Sequence, residues 1–328
     1  MKLLVHNYRC LSLEVELDDF VVVIGPNGAG KSSLLEAMYL ASSGGAATAP
    51  GRVSPLRVVL AARGMPYDPD VGADAAQVND VRIARKACDQ QIEQELNKAR
   101  EGYGLYFIFG FLAKLAGFPV SEAAYRELGR LYACGPRGST GVAVYANFLI
   151  DASRGEAAPA VFISPRLATE WDYVASLIDH IASVKPERLA EAVKTFDEFE
   201  ISDVRNINGV PHLLIGKKAY AFSLVPASYA YATVISLGLG AGDYVFIDEP
   251  EAHMHPGLIN VVRDVVEKAL NRGAKVAVAT QSIEVLDKFS EIGKGRVIRM
   301  KRCKIHDILS MEEAKRRIDE LYEDLRFY

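Results

Sequence analysis

Residues 25–32 read Gly-Pro-Asn-Gly-Ala-Gly-Lys-Ser, the pattern G-x-x-x-x-G-K-[ST], directly after the apolar run Phe20-Val21-Val22-Val23-Ile24. A glycine-rich loop between a buried strand and a helix turns successive backbone N–H groups toward one point, where they and the helix N-terminus stabilise phosphate charge. Glycine is required because the loop takes positive φ and a side chain would block the approach. The spacing therefore predicts a nucleotide site built from Asn27, Gly28, Ala29, Gly30, Lys31, Ser32 and Ser33. Lys31 reaches the β- and γ-phosphates, and the Ser32 hydroxyl is placed to coordinate Mg²⁺. The run Ser32-Ser33-Leu34-Leu35-Glu36-Ala37-Met38 continues as a helix former.

A second apolar run, Tyr244-Val245-Phe246-Ile247, ends in Asp248-Glu249-Pro250-Glu251. In phosphate-loop enzymes an acid at the end of such a strand holds the Mg²⁺ shell, which is the role assigned to Asp248. Glu249, next to it, is placed to polarise a water for in-line attack as general base. Alone, this would be an acidic loop after a core strand; paired with the phosphate loop it reads as the other half of one site. A guanine-reading sequence is missing, since Asn97-Lys98 is followed by Ala99-Arg100.

A chain of 328 residues, half of them hydrophobic and about a quarter charged, is globular and long enough for a large core with an insertion. The net charge of −4 gives no overall reason to bind nucleic acid, although Lys294, Arg296, Arg299, Lys301, Arg302 and Lys304 form a local basic cluster. Cys10, Cys88, Cys134 and Cys303 lack C-x-x-C spacing, which predicts buried thiols in a reducing compartment, with neither a zinc site nor a disulfide. The N-terminus lacks a signal-peptide pattern, and Leu105 to Phe118, the most apolar stretch, is shorter than a bilayer needs. The expectation is a soluble, cytoplasmic protein with no membrane segment.

Strand and helix alternate over the closing third, from Tyr244 to Met300, which argues for an α/β fold with a mostly parallel sheet covered by helices. Between about residues 75 and 135, Val81, Ala84, Cys88, Ile92 and Leu96 recur at helical spacing. The predicted organisation is a core of residues 1–45 and 200–328 interrupted by an inserted, largely helical lobe over 46–199. Ser310 and Glu313 open a last helix as a capping box, and Ser282 reads as another helix cap.

The opening Asn7-Tyr8-Arg9-Cys10-Leu11-Ser12-Leu13, the segment GPNGAGKSSLLEA and the later IDEPEAHMHP together resemble the ABC-type ATPases of the SMC, RecF and OLD group, often labelled AAA family ATPases. Asn27 and His253-x-His255-Pro256 carry the resemblance beyond the phosphate loop. It implies a P-loop NTPase head that binds ATP and Mg²⁺ between two subunits, here without a long coiled coil or an appended nuclease. It also implies a homodimer in the ATP state acting on nucleic acid or a protein partner. Arg9 would contact phosphate and Tyr8 the base, while Ser223, in Ser223-Leu224-Val225-Pro226-Ala227-Ser228, would meet the γ-phosphate held by the other subunit. Gln281 falls where the group has a switch residue, often His. The glycines usual in the signature segment are replaced, and Pro226 has no N–H to donate. Two alternatives remain open: an ATP-gated binding module with little turnover, and the nucleotide-binding subunit of a transporter. Glu251, His253 and His255 follow Pro250 into a loop and are read as part of a dimer-facing segment rather than a metal set.

Overall fold

The computed structural model describes residues 2–43, 55–64, 91, 94–95, 97–99, 129–135, 138–144, 149–155, 159–194, 196 and 200–326. The central strand β3 (Phe20–Ile24) is buried at every position, as a strand covered on both faces must be. It lies in a six-stranded sheet with β7 (Ala160–Ile163), β11 (Tyr244–Asp248), β12 (Lys275–Thr280), β13 (Arg296–Lys301) and β14 (Lys304–Ser310), in the order β14-β13-β3-β12-β11-β7. All neighbouring pairs are parallel except β13 with β14. That antiparallel edge strand alternates in exposure, as expected with one face in water.

A second sheet, wholly antiparallel, runs β2-β1-β4-β5-β6 from β1 (Lys2–Tyr8), β2 (Leu11–Glu16), β4 (Gly129–Gly135), β5 (Gly138–Val144) and β6 (Leu149–Gly155). Helix α1 (Lys31–Ser43) is packed between the two sheets, against β7, β11 and β12 on one side and β1, β4 and β5 on the other. This double packing leaves 11 of its 13 residues buried. Its Tyr39 ring sits between Phe162 and Phe246 of the neighbouring strands β7 and β11. Because side chains alternate across a strand, Val161 and Ile163 face the other way. There they meet α5 (Ala227–Ala241) at Gly238, where a Cβ would lie 2.2 Å from Ile163 Cδ1.

A short helix α2 (Pro55–Ala62) packs on α1. On the far side, α3 (Trp171–Val184), α4 (Pro186–Lys194) and α5 pack together beside a three-stranded meander of β8 (Ile201–Ile207), β9 (Val210–Ile215) and β10 (Lys218–Ala221). Helices α6 (Pro256–Asn271), α7 (Ile283–Ser290) and α8 (Met311–Asp319) complete the alternation. The Ser282 hydroxyl accepts from Val285 N–H and that of Ser310 from Glu313 N–H, so both sequence-read caps form.

The inserted block departs from the sequence reading. Residues 129–135, read as the end of a helical pattern, form β4, because pairing with β1 satisfies a backbone that local periodicity could not assign. Residues 160–163 were placed in the insertion, yet they form the edge strand of the main sheet through β11. Val81, Ala84, Cys88, Ile92 and Leu96, which carry the helical pattern, and the apolar stretch Leu105 to Phe118 lie outside the described residues. Among the described residues no helix is long and apolar enough to cross a membrane.

For Cys10 and Cys303 the expectation of buried thiols without a disulfide is also overturned. Cys10 and Cys303 form a disulfide with a Cα–Cα distance of 5.7 Å, although 293 positions separate them. Each stands in a tight turn, β1 to β2 and β13 to β14, and the contact between β2 and β14 brings the two turns together.

Candidate functional site

The carboxyl ends of β3, β12 and β11 lie side by side, with Ile24 opposite Thr280 and Ala279 opposite Asp248. Loops leaving this edge of a parallel sheet are where ligands bind. The register therefore gathers the phosphate loop, Gln281 and the acidic motif at one place.

The loop is held in shape from several directions. A Cβ on Gly25 would lie 2.3 Å from the Met300 carbonyl oxygen, so only glycine lets the chain leave β3 beside β13. Gly28 and Gly30 take φ of +74° and +95°, and Leu34 N–H donates to Gly30 O at 2.9 Å to start α1. Lys31 Nζ donates to Gly25 O at 2.9 Å and Pro26 O at 3.2 Å, folded over the loop it would share with phosphate. Burial pushes the Lys31 ammonium down, while the charges of Asp248, Glu249 and Glu251 oppose that shift. Asn27 is exposed at the loop's tip, whereas Ala29 is buried beneath it.

Ser32 Oγ donates to Asp248 Oδ1 at 3.2 Å across 216 positions of sequence. The Asp248 carboxyl is pushed up to about 7, first by burial and then by Glu249, against the Ser32 hydrogen bond. Glu249 is exposed, with φ +49° and its N–H bonded to Ala279 O at 2.8 Å. Glu251 turns inward: its Oε1 accepts from Thr280 Oγ1 at 2.8 Å and from Gln281 N–H at 3.2 Å. It thereby ties the end of β12, and with it Gln281, to the loop after Asp248.

Arg9 and Ser223 stand differently. Arg9 is turned onto Glu36, with Nε 2.9 Å from Oε2, and Arg63 holds the other carboxylate oxygen at 2.5 Å. Tyr8 is buried and donates its hydroxyl to the same Glu36 at 3.2 Å, which makes it a core residue rather than a base-stacking one. Arg63 Nη2 also reaches Ser33 Oγ at 3.4 Å. Ser223 is exposed on the 3-10 turn Phe222–Leu224, which packs against β9, β10 and α5 rather than against the phosphate loop. Sequence reasoning missed Glu36 and Arg63, which carry no motif, and Tyr231, whose hydroxyl donates to Asp248 O. Among the described residues no cluster of His, Cys, Asp and Glu forms a metal-binding group of three or more. His255 instead caps α6, accepting from Gly257 N–H at 3.1 Å.

Residues 1–94 match the family described as AAA ATPase domain. Solved structures that resemble this chain include two Smc heads. One is the SmcHead bound to the C-winged helix domain of ScpA, with a TM-score of 0.52 and 11% identity, covering 95% of this chain and 98% of that one. The chain has the fold of an Smc head domain. The other is an Smc head domain with an extended coiled coil from Pyrococcus furiosus, bound to the C-terminal domain of ScpA. There the TM-score is 0.51 at 10% identity, over 98% of this chain and 99% of that one. No curated protein matches the sequence.

Proposed function

We propose that the protein is a Mg²⁺-dependent ATP hydrolase of the cytoplasm that works as an ATP-sandwich homodimer on a nucleic acid or a protein partner. The observation that carries this reading is the Ser32–Asp248 hydrogen bond, which joins the phosphate loop to the acidic motif. A hydroxyl and a carboxylate are the hard oxygen donors that suit Mg²⁺, and burial pushes the Asp248 carboxyl up to about 7, so a cation bound there would offset the cost of its charge. Ser32 and Asp248 would hold that ion, which supplies charge neutralisation on the phosphates.

The remaining work falls to the chain itself. The N–H groups of residues 27 to 33 and the start of α1 cradle the phosphates, and Lys31 exchanges its two carbonyl partners for phosphate oxygen. Glu249, exposed beside this edge, accepts the proton of the attacking water. Gln281, held by Glu251, orients that water or a phosphate oxygen through its amide. Arg9 supports the loop through Glu36, and reaches phosphate only by leaving that carboxylate. The SMC heads resembling this chain are bound to a ScpA domain, which supports a protein partner.

Glu249→Gln is the test. It should keep ATP bound and slow phosphate release by roughly two to four powers of ten, the usual worth of a positioned base. Unchanged turnover would move the base elsewhere.

A further inference from the structure

The disulfide lies against the phosphate loop. Cys303 N–H donates to Ala29 O at 2.9 Å. A Cβ added to Gly30 would sit 3.3 Å from Cys303 Cα and 3.4 Å from Cys10 Sγ, so both half-cystines wall the last residue before Lys31. The two turns they occupy hold non-glycine residues at positive φ, namely Arg9 at 52°, Arg302 at 46° and Cys303 at 61°. Such backbone persists only where its surroundings hold it. One turn belongs to the antiparallel sheet and the other to the main sheet, so the bond joins the two sheets beside the loop. Cys10 is exposed, within reach of a reductant.

We propose that Cys10–Cys303 is a redox modification site that sets the nucleotide affinity of the phosphate loop, tight when bonded and weak as two thiols. The proposal rests on the reading of this loop as a nucleotide site. The co-reactant is a dithiol. Its thiolate attacks Cys10 Sγ and breaks the Cys10–Cys303 bond, and the departing Cys303 thiolate takes up a proton. The second thiol of the reductant then displaces Cys10, which is protonated in turn. The protein gains two electrons and two protons, and the reductant leaves as a disulfide. With the bond intact, the wall behind Ala29 and Gly30 is covalent and the N–H cradle is preorganised. Once it is cut, the β1–β2 turn can move away, and binding must order the loop.

The coupling is reciprocal, so bound nucleotide protects the bond from reduction by the same factor. Calorimetry of Mg-ATP on the full chain, oxidised and then reduced with dithiothreitol, should show the dissociation constant rising about tenfold and returning on reoxidation. Mass spectrometry after alkylation reports the bond in each sample. Cys10→Ser and Cys303→Ser should give the reduced value in both conditions, whereas Cys88→Ser with Cys134→Ser should keep the full response. If the serine variants fail to fold, the redox cycle of the wild type decides alone. Equal affinity in the two states overturns the proposal and leaves the nucleotide site standing, as does a bond that never forms under oxidant. Absence of binding in both states overturns the proposal and the reading of the site together.

Discussion

The hydroxyl of Tyr231 donates to the main-chain oxygen of Asp248 at 2.5 Å. Tyr231 belongs to the first turns of α5, the helix that begins at the signature segment, and its ring is buried. The segment proposed to face a partner subunit is thus coupled through one helix to the acid proposed to hold Mg²⁺. A shift of α5 on dimer contact would reach Asp248 through this bond.

Tyr231→Phe removes the donor and keeps the ring. It should cost about 1 kcal/mol in denaturant-measured stability, the net worth of one hydrogen bond. ATP affinity should change little, because the loop is untouched, while turnover should fall. A variant with wild-type turnover would show that Asp248 is positioned by its strand alone.

The raised Asp248 carboxyl makes metal-free stability pH-dependent. Its folded pKa, about 7, lies above the unfolded value, so the folded state binds this proton more tightly and gains stability as pH falls toward and through 7. Between about pH 8 and about pH 6 the gain is on the order of 1 kcal/mol for this one group. Asp248→Asn should flatten that slope in thermal unfolding scans, and Mg-ATP should flatten it in the wild type, since the ion competes with the proton. An identical slope in the Asn variant would assign it to other groups.

Much of this site was legible because its parts are contiguous in sequence. The loop from Gly25 to Ser32 and the pair Asp248-Glu249 each carry their chemistry within a few residues, and the apolar runs before them fix their place at strand ends. The Ser282 and Ser310 caps are local in the same sense. What was hidden depends on long-range pairing. Cys10 meets Cys303 only because turns of two different sheets converge, 293 positions apart in sequence. Arg63 meets Glu36 because α2 packs on α1, and neither residue sits in a pattern. The four-residue strand β7 was visible as an apolar run, but nothing local showed that its partner would be β11, 84 residues onward in register, rather than the insertion.

Glu251 offers a test of how Gln281 is positioned. Its Oε1 serves the Thr280 hydroxyl and the Gln281 N–H, while its Oε2 is buried without a partner, and burial raises its pKa. Glu251→Ala leaves two donors unpaired and should cost about 1–3 kcal/mol in stability. Turnover should fall with ATP affinity largely kept. Glu251→Gln retains an accepting oxygen and sheds the buried charge, so it should be the milder change on both measures. Equal loss of activity in the two variants would mean that the carboxylate charge itself acts in the reaction.

The replaced glycines of the signature segment decide between a turning-over dimer and a nucleotide-gated switch. Pro226 is the N-cap of α5, makes no side-chain cap, and accepts at its carbonyl from the N–H groups of Tyr229 and Ala230. Ser223 and Leu224 before it are exposed, Leu224 at 74%, so this helix start is open to a second subunit. Pro226→Gly with Ser228→Gly adds a backbone donor and frees φ at both positions. If the segment approaches the partner's γ-phosphate, light scattering should show more ATP-dependent dimer and phosphate release should rise on the same samples. If it is not used, the double change only loosens the helix start, at about 1–2 kcal/mol for the two residues. Normal ATP binding with neither dimerisation nor turnover altered would favour the monomeric switch. In that case Leu224 would be exposed for a contact other than a second copy of this chain.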